Sequence, residues 1–143
     1  MILVDLNILI YALDRSSPRH EVARHWLEAT LGGDEEVRFA MHTLLGFLRL
    51  STSPSIFERP LTADRAIGFV SDWLARSNVE IAAPTDRHWI VLSELAAAGQ
   101  ARGSLLMDAH LAALTLEYGA TLATTDRDFA RFPGLRFRNP IAS

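Results

Sequence analysis

Short apolar runs alternate along this chain with longer stretches whose apolar residues recur every three to four positions, and no other feature constrains its fold as strongly. Residues 1–4, 37–40, 79–82, 120–124 and 135–137 have the length and content of buried strands. Helical spacing is predicted over 8–13 with Asn7 as its cap, from Ser17-Pro18 to Gly32-Gly33, and over 43–50, 62–76, 85–98 and 104–118. In the second of these, Val22, Ala23, Trp26 and Leu27 form one side, with Glu21, Arg24, His25 and Glu28 on the other. Residues 51–60 read as a loop and 126–131 as a single helical turn. Strands that alternate with helices call for a parallel sheet covered on both faces. The expected class is α/β, a three-layer arrangement with a central parallel sheet between helices.

The 143 residues suit one domain spanning 1–143, large enough to bury about two thirds of its unfolded surface. With no cysteine, a structural disulfide and a zinc–thiolate module are both excluded, which suits a reducing cytoplasm. Met1 runs straight into apolar residues, so no signal peptide is expected. The longest apolar stretch is broken by Asp108 and His110, so no membrane span is expected either. The net charge of −3 does not by itself point to nucleic acid. All fourteen cationic side chains are arginines, able to hold a phosphate or carboxylate with two hydrogen bonds. Arg127, Arg131, Arg136 and Arg138 face a single acid, Asp128, so the C-terminal segment is basic.

Four carboxylates depart from the polar helix faces that carry the rest. Asp5 closes the first strand, Asp126 follows the fourth, Asp128 lies two residues on, and Asp108 sits within the apolar run Leu105-Leu106-Met107-Asp108-Ala109-His110-Leu111. Singly, each has an ordinary reading: Asp5 and Asp126 can cap the helices that follow them, and Asp108 can pair with an arginine or reach solvent. Collectively they suggest more. The C-terminal strand ends of a parallel sheet form the crevice in which ligands bind. Carboxylates gathered there repel one another unless a cation joins them, and hard oxygen donors suit Mg²⁺ or Mn²⁺.

The opening Val4-Asp5-Leu6-Asn7-Ile8-Leu9-Ile10-Tyr11-Ala12 resembles that of PIN-domain nucleases. Met107-Asp108-Ala109-His110-Leu111-Ala112-Ala113 is similar to their helix with a central metal-binding aspartate, and Thr124-Thr125-Asp126-Arg127-Asp128-Phe129 to their last acidic motif. Leu44-Leu45-Gly46-Phe47-Leu48-Arg49-Leu50 and Phe132-Pro133-Gly134-Leu135 further resemble the VapC toxins of bacterial toxin–antitoxin modules. The resemblance implies a ribonuclease dependent on Mg²⁺ or Mn²⁺, a homodimer, and a cognate VapB-type antitoxin. It also implies metal-site roles for Asp5, Asp108 and Asp126, an accessory one for Asp128, and pocket-lining positions for Asn7 and Thr124. Arg127, Arg131, Arg136 and Arg138 become candidates for guiding RNA. One departure concerns the number of metals held: many PIN domains carry a glutamate on the helix after the second strand, where this chain has Gly46.

Other residues are expected to be structural. Trp26, Trp73 and Trp89 lie in helical stripes and are assigned to the core, and the histidines other than His110 to the surface. Ile56, Phe57 and Leu61 are either a docking surface for an antitoxin or internal packing. Two rival functions stay open: a PIN fold without activity that binds RNA or protein, and an aspartyl-phosphate phosphatase with Asp5 as nucleophile. Asn7 stands where the phosphatase needs a second aspartate, and the chain has no lysine to serve it.

Overall fold

The computed structural model describes residues 1–142, so residue 143 of the expected unit lies outside the described residues. In chain order come β1 (Ile2–Val4), α1 (Leu6–Leu13), α2 (His20–Leu31), β2 (Val37–Ala40), α3 (Met41–Ser51), α4 (Ala63–Leu74), β3 (Val79–Ala82), α5 (His88–Ala98), α6 (Leu105–Glu117), β4 (Thr121–Ala123) and β5 (Phe137–Arg138). A 3-10 helix over Arg127–Arg131 joins the last two strands. The strands form one parallel sheet in the order β3-β2-β1-β4-β5. Leu3 is matched with Arg38 on one side and with Leu122 on the other.

Period-two alternation in the strands builds the two halves of the core. Ile2, Val4, Val37, Phe39 and Val79 point into one half, among α1 to α4, while Leu3, Ala40, Ala82 and Leu122 point into the other, beneath α5 and α6. Because β1 is buried on both faces, it reads as an unbroken apolar run rather than an alternating one. Phe39, Phe47 and Trp73 lock the first half together, with ring centroids 5.6 and 4.8 Å apart along Phe39–Trp73–Phe47. No helix of the described residues is long and apolar enough to cross a membrane.

The structure moves several element boundaries. Asp5 rather than Asn7 caps α1: its backbone is extended and its carboxylate accepts the Leu6 amide at 2.7 Å. The turn after Pro18 delays α2 to His20, whose amide donates to Ser17 O. A similar turn from Thr85 delays α5 to His88. The last strand starts at Phe137 because Gly134, at φ +82, and the Leu135 amide on Phe132 O hold the chain in a turn until then. Trp26 and Trp73 pack in the core as expected, but Trp89 lies on the outer side of α5 and is 75% exposed.

Candidate active site

The strand order reverses between β1 and β4, and both strands end in the residues singled out from the sequence. The crevice beyond such a reversal is the general ligand site of open parallel sheets. A cleft of about 380 Å³ opens there, lined by Asp5, Asn7, Asp108 and Asp126 together with Tyr11 and Leu50. Asp5 follows β1, Asp126 follows β4, and Asp108 stands in the first turn of α6, where the helix dipole favours an anion. Asp128 is exposed on the 3-10 helix and reaches the cleft through its charge.

Thr124, fully buried at the end of β4, organises the floor. Its hydroxyl donates to Asp5 Oδ2 at 2.7 Å and accepts the Asp126 amide at 3.0 Å and Asn7 Nδ2 at 3.4 Å. Asn7 reaches back from α1, with its Oδ1 3.5 Å from the Thr125 amide. Asp126 Oδ1 accepts the Asp128 amide at 2.8 Å, so the ordinary capping roles of Asp5 and Asp126 hold as well. Capping and site-building use different oxygens of Asp5: Oδ1 caps the helix and Oδ2 takes the threonine proton.

Electrostatically the cleft is unfavourable without a cation. Burial raises the Asp5 carboxyl above its usual range, and Asp126 adds to the rise against the hydrogen bonds from Thr124 and Leu6. Asp108 is pushed up to about 6, by burial first and then by repulsion from Asp5, Asp126 and Asp128. Arg131 opposes that rise. Three negative neighbours at one partly buried carboxylate match the chemistry of a hard divalent ion, with oxygen donors only. The side chains surround the cleft without meeting at one point: among the described residues, no three Asp, Glu or His groups are placed to hold one ion together.

At the Gly46 position a longer side chain would have to displace Leu6. A Cβ built there would lie 2.7 Å from Leu6 Cδ2, so Leu6 fills the place from which a glutamate would extend. Of the four C-terminal arginines, Arg136 is separated from the cleft. Its Nη2 donates to Gly119 O at 2.6 Å, at the start of β4 and therefore at the opposite end of the sheet. Arg127 and Arg138 are exposed near the strand ends, and Arg131 is half-buried.

The sequence analysis missed a polar network between the start of α5 and α6. Glu117 accepts the Thr85 amide at 3.0 Å, the Thr85 hydroxyl at 2.6 Å and the His88 ring, whose Nε2 lies 2.9 Å from His110 Nδ1. His88 and His20 are buried to 12% side-chain exposure, contrary to the expected surface placement. The available signal was the seven-residue separation of His110 and Glu117, which puts them two turns apart on one face of α6. Of the expected docking residues, Ile56 is exposed while Leu61 packs against the core. A larger groove of about 740 Å³ lies between α1, α2 and α4, with Leu27, Phe47 and Trp73 inside and Arg15, Arg24 and Arg76 among its charged residues. It contains no clustered acids from strand ends, so the smaller cleft is the candidate for chemistry.

Comparison with known proteins agrees with this geometry. A family model described as PIN domain matches residues 2–135. Ribonuclease VapC37 of Mycobacterium tuberculosis is 40% identical over 142 residues, covering 99% of both chains. Ribonuclease VapC33 of the same species is 37% identical over 142 residues, again covering 99% of both. Among solved structures, the Rickettsia felis VapBC2 complex, bound to a DNA fragment from its promoter, contains a chain that superposes with a TM-score of 0.68. At 19% identity over 97% of this chain and 98% of that one, the match is one of fold.

Proposed function

This chain belongs to the PIN-domain family, and on that premise we propose that it is the toxin of a toxin–antitoxin pair, a metal-dependent ribonuclease that hydrolyses RNA phosphodiester bonds. The convergence of Asp5, Asp108 and Asp126 on one cleft, with Asp128 adding its charge to Asp108, carries the reading. Asp5, Asp108 and Asp126 would close from their places around the cleft on Mg²⁺ or Mn²⁺, with Asp128 as an accessory charge. A divalent ion in such a site polarises the phosphate, activates water and stabilises the leaving oxygen.

The chain's own groups prepare the site for that chemistry. Thr124 keeps Asp5 Oδ2 from rotating, and Asn7 braces Thr124 from α1. Leu6 and Tyr11 of α1 and Leu50 of α3 line the cleft opposite the acids of β4 and α6. An acidic cleft does not attract RNA by itself, so arginines at its rim guide the backbone. Arg127 follows β4, Arg138 ends β5 and Arg131 ends the 3-10 helix that Asp126 caps, so these three would serve, whereas Arg136, bound to Gly119 O, would not. The whole of 1–143 acts as one unit, working in the cytoplasm where RNA is found.

Two partners complete the proposal. The groove between α1, α2 and α4 has an apolar floor and charges of both signs at its edge, which suits an amphipathic segment of a VapB-type antitoxin. Trp89 and Ile90 on α5 and Leu106 and Met107 on α6 are exposed apolar side chains on two helices that pack together, which suits a homodimer. The Rickettsia felis relative in fold was solved as a toxin–antitoxin complex on DNA, which supports an antitoxin partner here.

Incubating purified protein with RNA in Mg²⁺ or Mn²⁺, with and without chelator, tests the reading. Cleavage that stops on chelation is expected. Chelator-resistant cleavage would oppose a metal site, and none under any divalent ion would favour the inactive binding module.

A further inference from the structure

We propose that Arg131 grips the reacting phosphodiester, as a built part of the active site distinct from the exposed arginines around it. The proposal rests on the ribonuclease reading above. Arg131 ends the 3-10 helix that Asp126 caps, so one short rigid element carries both a cleft carboxylate and this guanidinium. Its Nη1 donates to Gly99 O at 2.9 Å. Gly99 also lets the ring of Phe132, the residue after Arg131, pack close, where a Cβ would meet it at 3.0 Å. The Arg131 stem is therefore held between the end of α5 and the 3-10 helix.

Nε of Arg131 is buried and has no hydrogen-bond partner among the described residues, so the donors left for a phosphate are those remaining on Nη1 and Nη2. Its hydrogen-bond acceptor is a neutral carbonyl, so the contact does not cancel its charge, and Gly99, which supplies that carbonyl, lies in the short connection from α5 to α6, whose first turn carries Asp108. A planar fork of N–H donors beside a carboxylate cleft matches the non-bridging oxygens of a phosphodiester. Donors fixed in place act most strongly where charge builds up on those oxygens during hydrolysis. Arg136 lacks this setting at the far end of the sheet, and exposed Arg127 and Arg138 have no comparable anchor.

The test compares wild type with Arg131→Ala, Arg131→Lys and Arg136→Ala. Steady-state RNA cleavage in Mn²⁺ and thermal unfolding are followed together. For Arg131→Ala, kcat/KM is expected to fall about 100-fold, the size of losing one oriented transition-state donor, with partial recovery on adding guanidinium ion. Arg131→Lys keeps the charge and can still reach Gly99 O, so it should fold normally yet stay well below wild type. Arg136→Ala should match wild type.

A second readout needs no metal. Binding of labelled single-stranded RNA is measured against salt concentration with chelator present. The slope of log affinity on log salt should decrease in magnitude by about 0.7 in Arg131→Ala, the loss of one phosphate contact, and remain unchanged in Arg136→Ala. A folded Arg131→Lys protein with full kcat, or an unchanged slope in Arg131→Ala, overturns the proposal. Wild type that never cleaves RNA would instead remove the ribonuclease reading, and the catalytic role of Arg131 with it.

Discussion

The Thr124 hydroxyl donates to Asp5 Oδ2 at 2.7 Å, linking the ends of the two central strands on either side of the crevice. The same oxygen accepts the Asp126 amide at 3.0 Å. One buried hydroxyl thus sets the positions of two cleft acids, and without it both would be left short of a partner.

Thr124→Val tests that link while keeping the side-chain shape. Leaving Asp5 Oδ2 and the Asp126 amide unsatisfied should cost about 1–3 kcal/mol of stability, measured by chemical denaturation. Metal affinity or activity should drop about 10- to 100-fold, as for other partners that orient metal ligands. Unchanged stability and activity would mean that Asp5 is positioned by its capping bond to Leu6 alone.

For Asp108 the expected effect on stability is opposite in sign to that on activity. Its folded pKa of about 6 lies above the ordinary 3.8, so the folded state binds the proton more tightly than the unfolded state. Metal-free stability from this group is full below 3.8 and is lost as pH rises through about 6. Asp108→Asn should therefore abolish cleavage and, allowing for solvent screening, make the metal-free protein more stable by about 1 kcal/mol at neutral pH. Urea titrations at acidic and neutral pH check this. A variant that is less stable at both would contradict the repulsion.

Glu117 behaves in the reverse way. Burial raises its pKa, but hydrogen bonds from Thr85 and His88 outweigh that and leave it below the ordinary 4.5. Its stabilisation is complete above 4.5 and is lost as pH falls through the depressed value. Glu117→Gln should flatten the acid limb of the stability curve. It should also shift the ¹⁵N resonances of His88 and His110, because the carboxylate that fixes the His88 tautomer is gone. Unaltered histidine resonances would show that the network does not order these rings.

Gly46 and Leu6 should behave as a coupled pair. A methyl at Gly46 must push aside Leu6 Cδ2, the end of a half-buried side chain, so the helix gain of Gly46→Ala and the repacking of Leu6 should nearly offset, with a net change below about 1 kcal/mol. In Leu6→Ala the same substitution should be stabilising, and the double-mutant cycle would show the difference. Additive effects would mean that the helices relax around the added methyl.

Much of this was legible in the sequence because the signals were local. The strands β2 and β3 follow from short runs rich in apolar residues between turn segments, and the acids after β1 and β4 stand out because no charged residue precedes them in those strands. What was hidden depends on tertiary contact. Trp89 has helical spacing like Trp73, but only the packing of α5 shows that it points outward. Arg131 and Arg136 look alike in sequence and are separated only by Gly99 O and Gly119 O. Asn7 resembled a helix cap because asparagine caps well, yet Asp5, already extended, took that place.

The most direct measurement of whether these carboxylates form one metal centre is calorimetric titration of Mn²⁺ into wild type and into Asp108→Asn, both free of RNA. With no acid at Gly46, wild type should take up about one ion tightly, as a few carboxylates suffice for a single hard cation. Asp108→Asn should lose that tight binding while remaining folded. Two equally tight ions in wild type would contradict the single-ion site. No tight ion, or undiminished binding in Asp108→Asn, would contradict the centre itself.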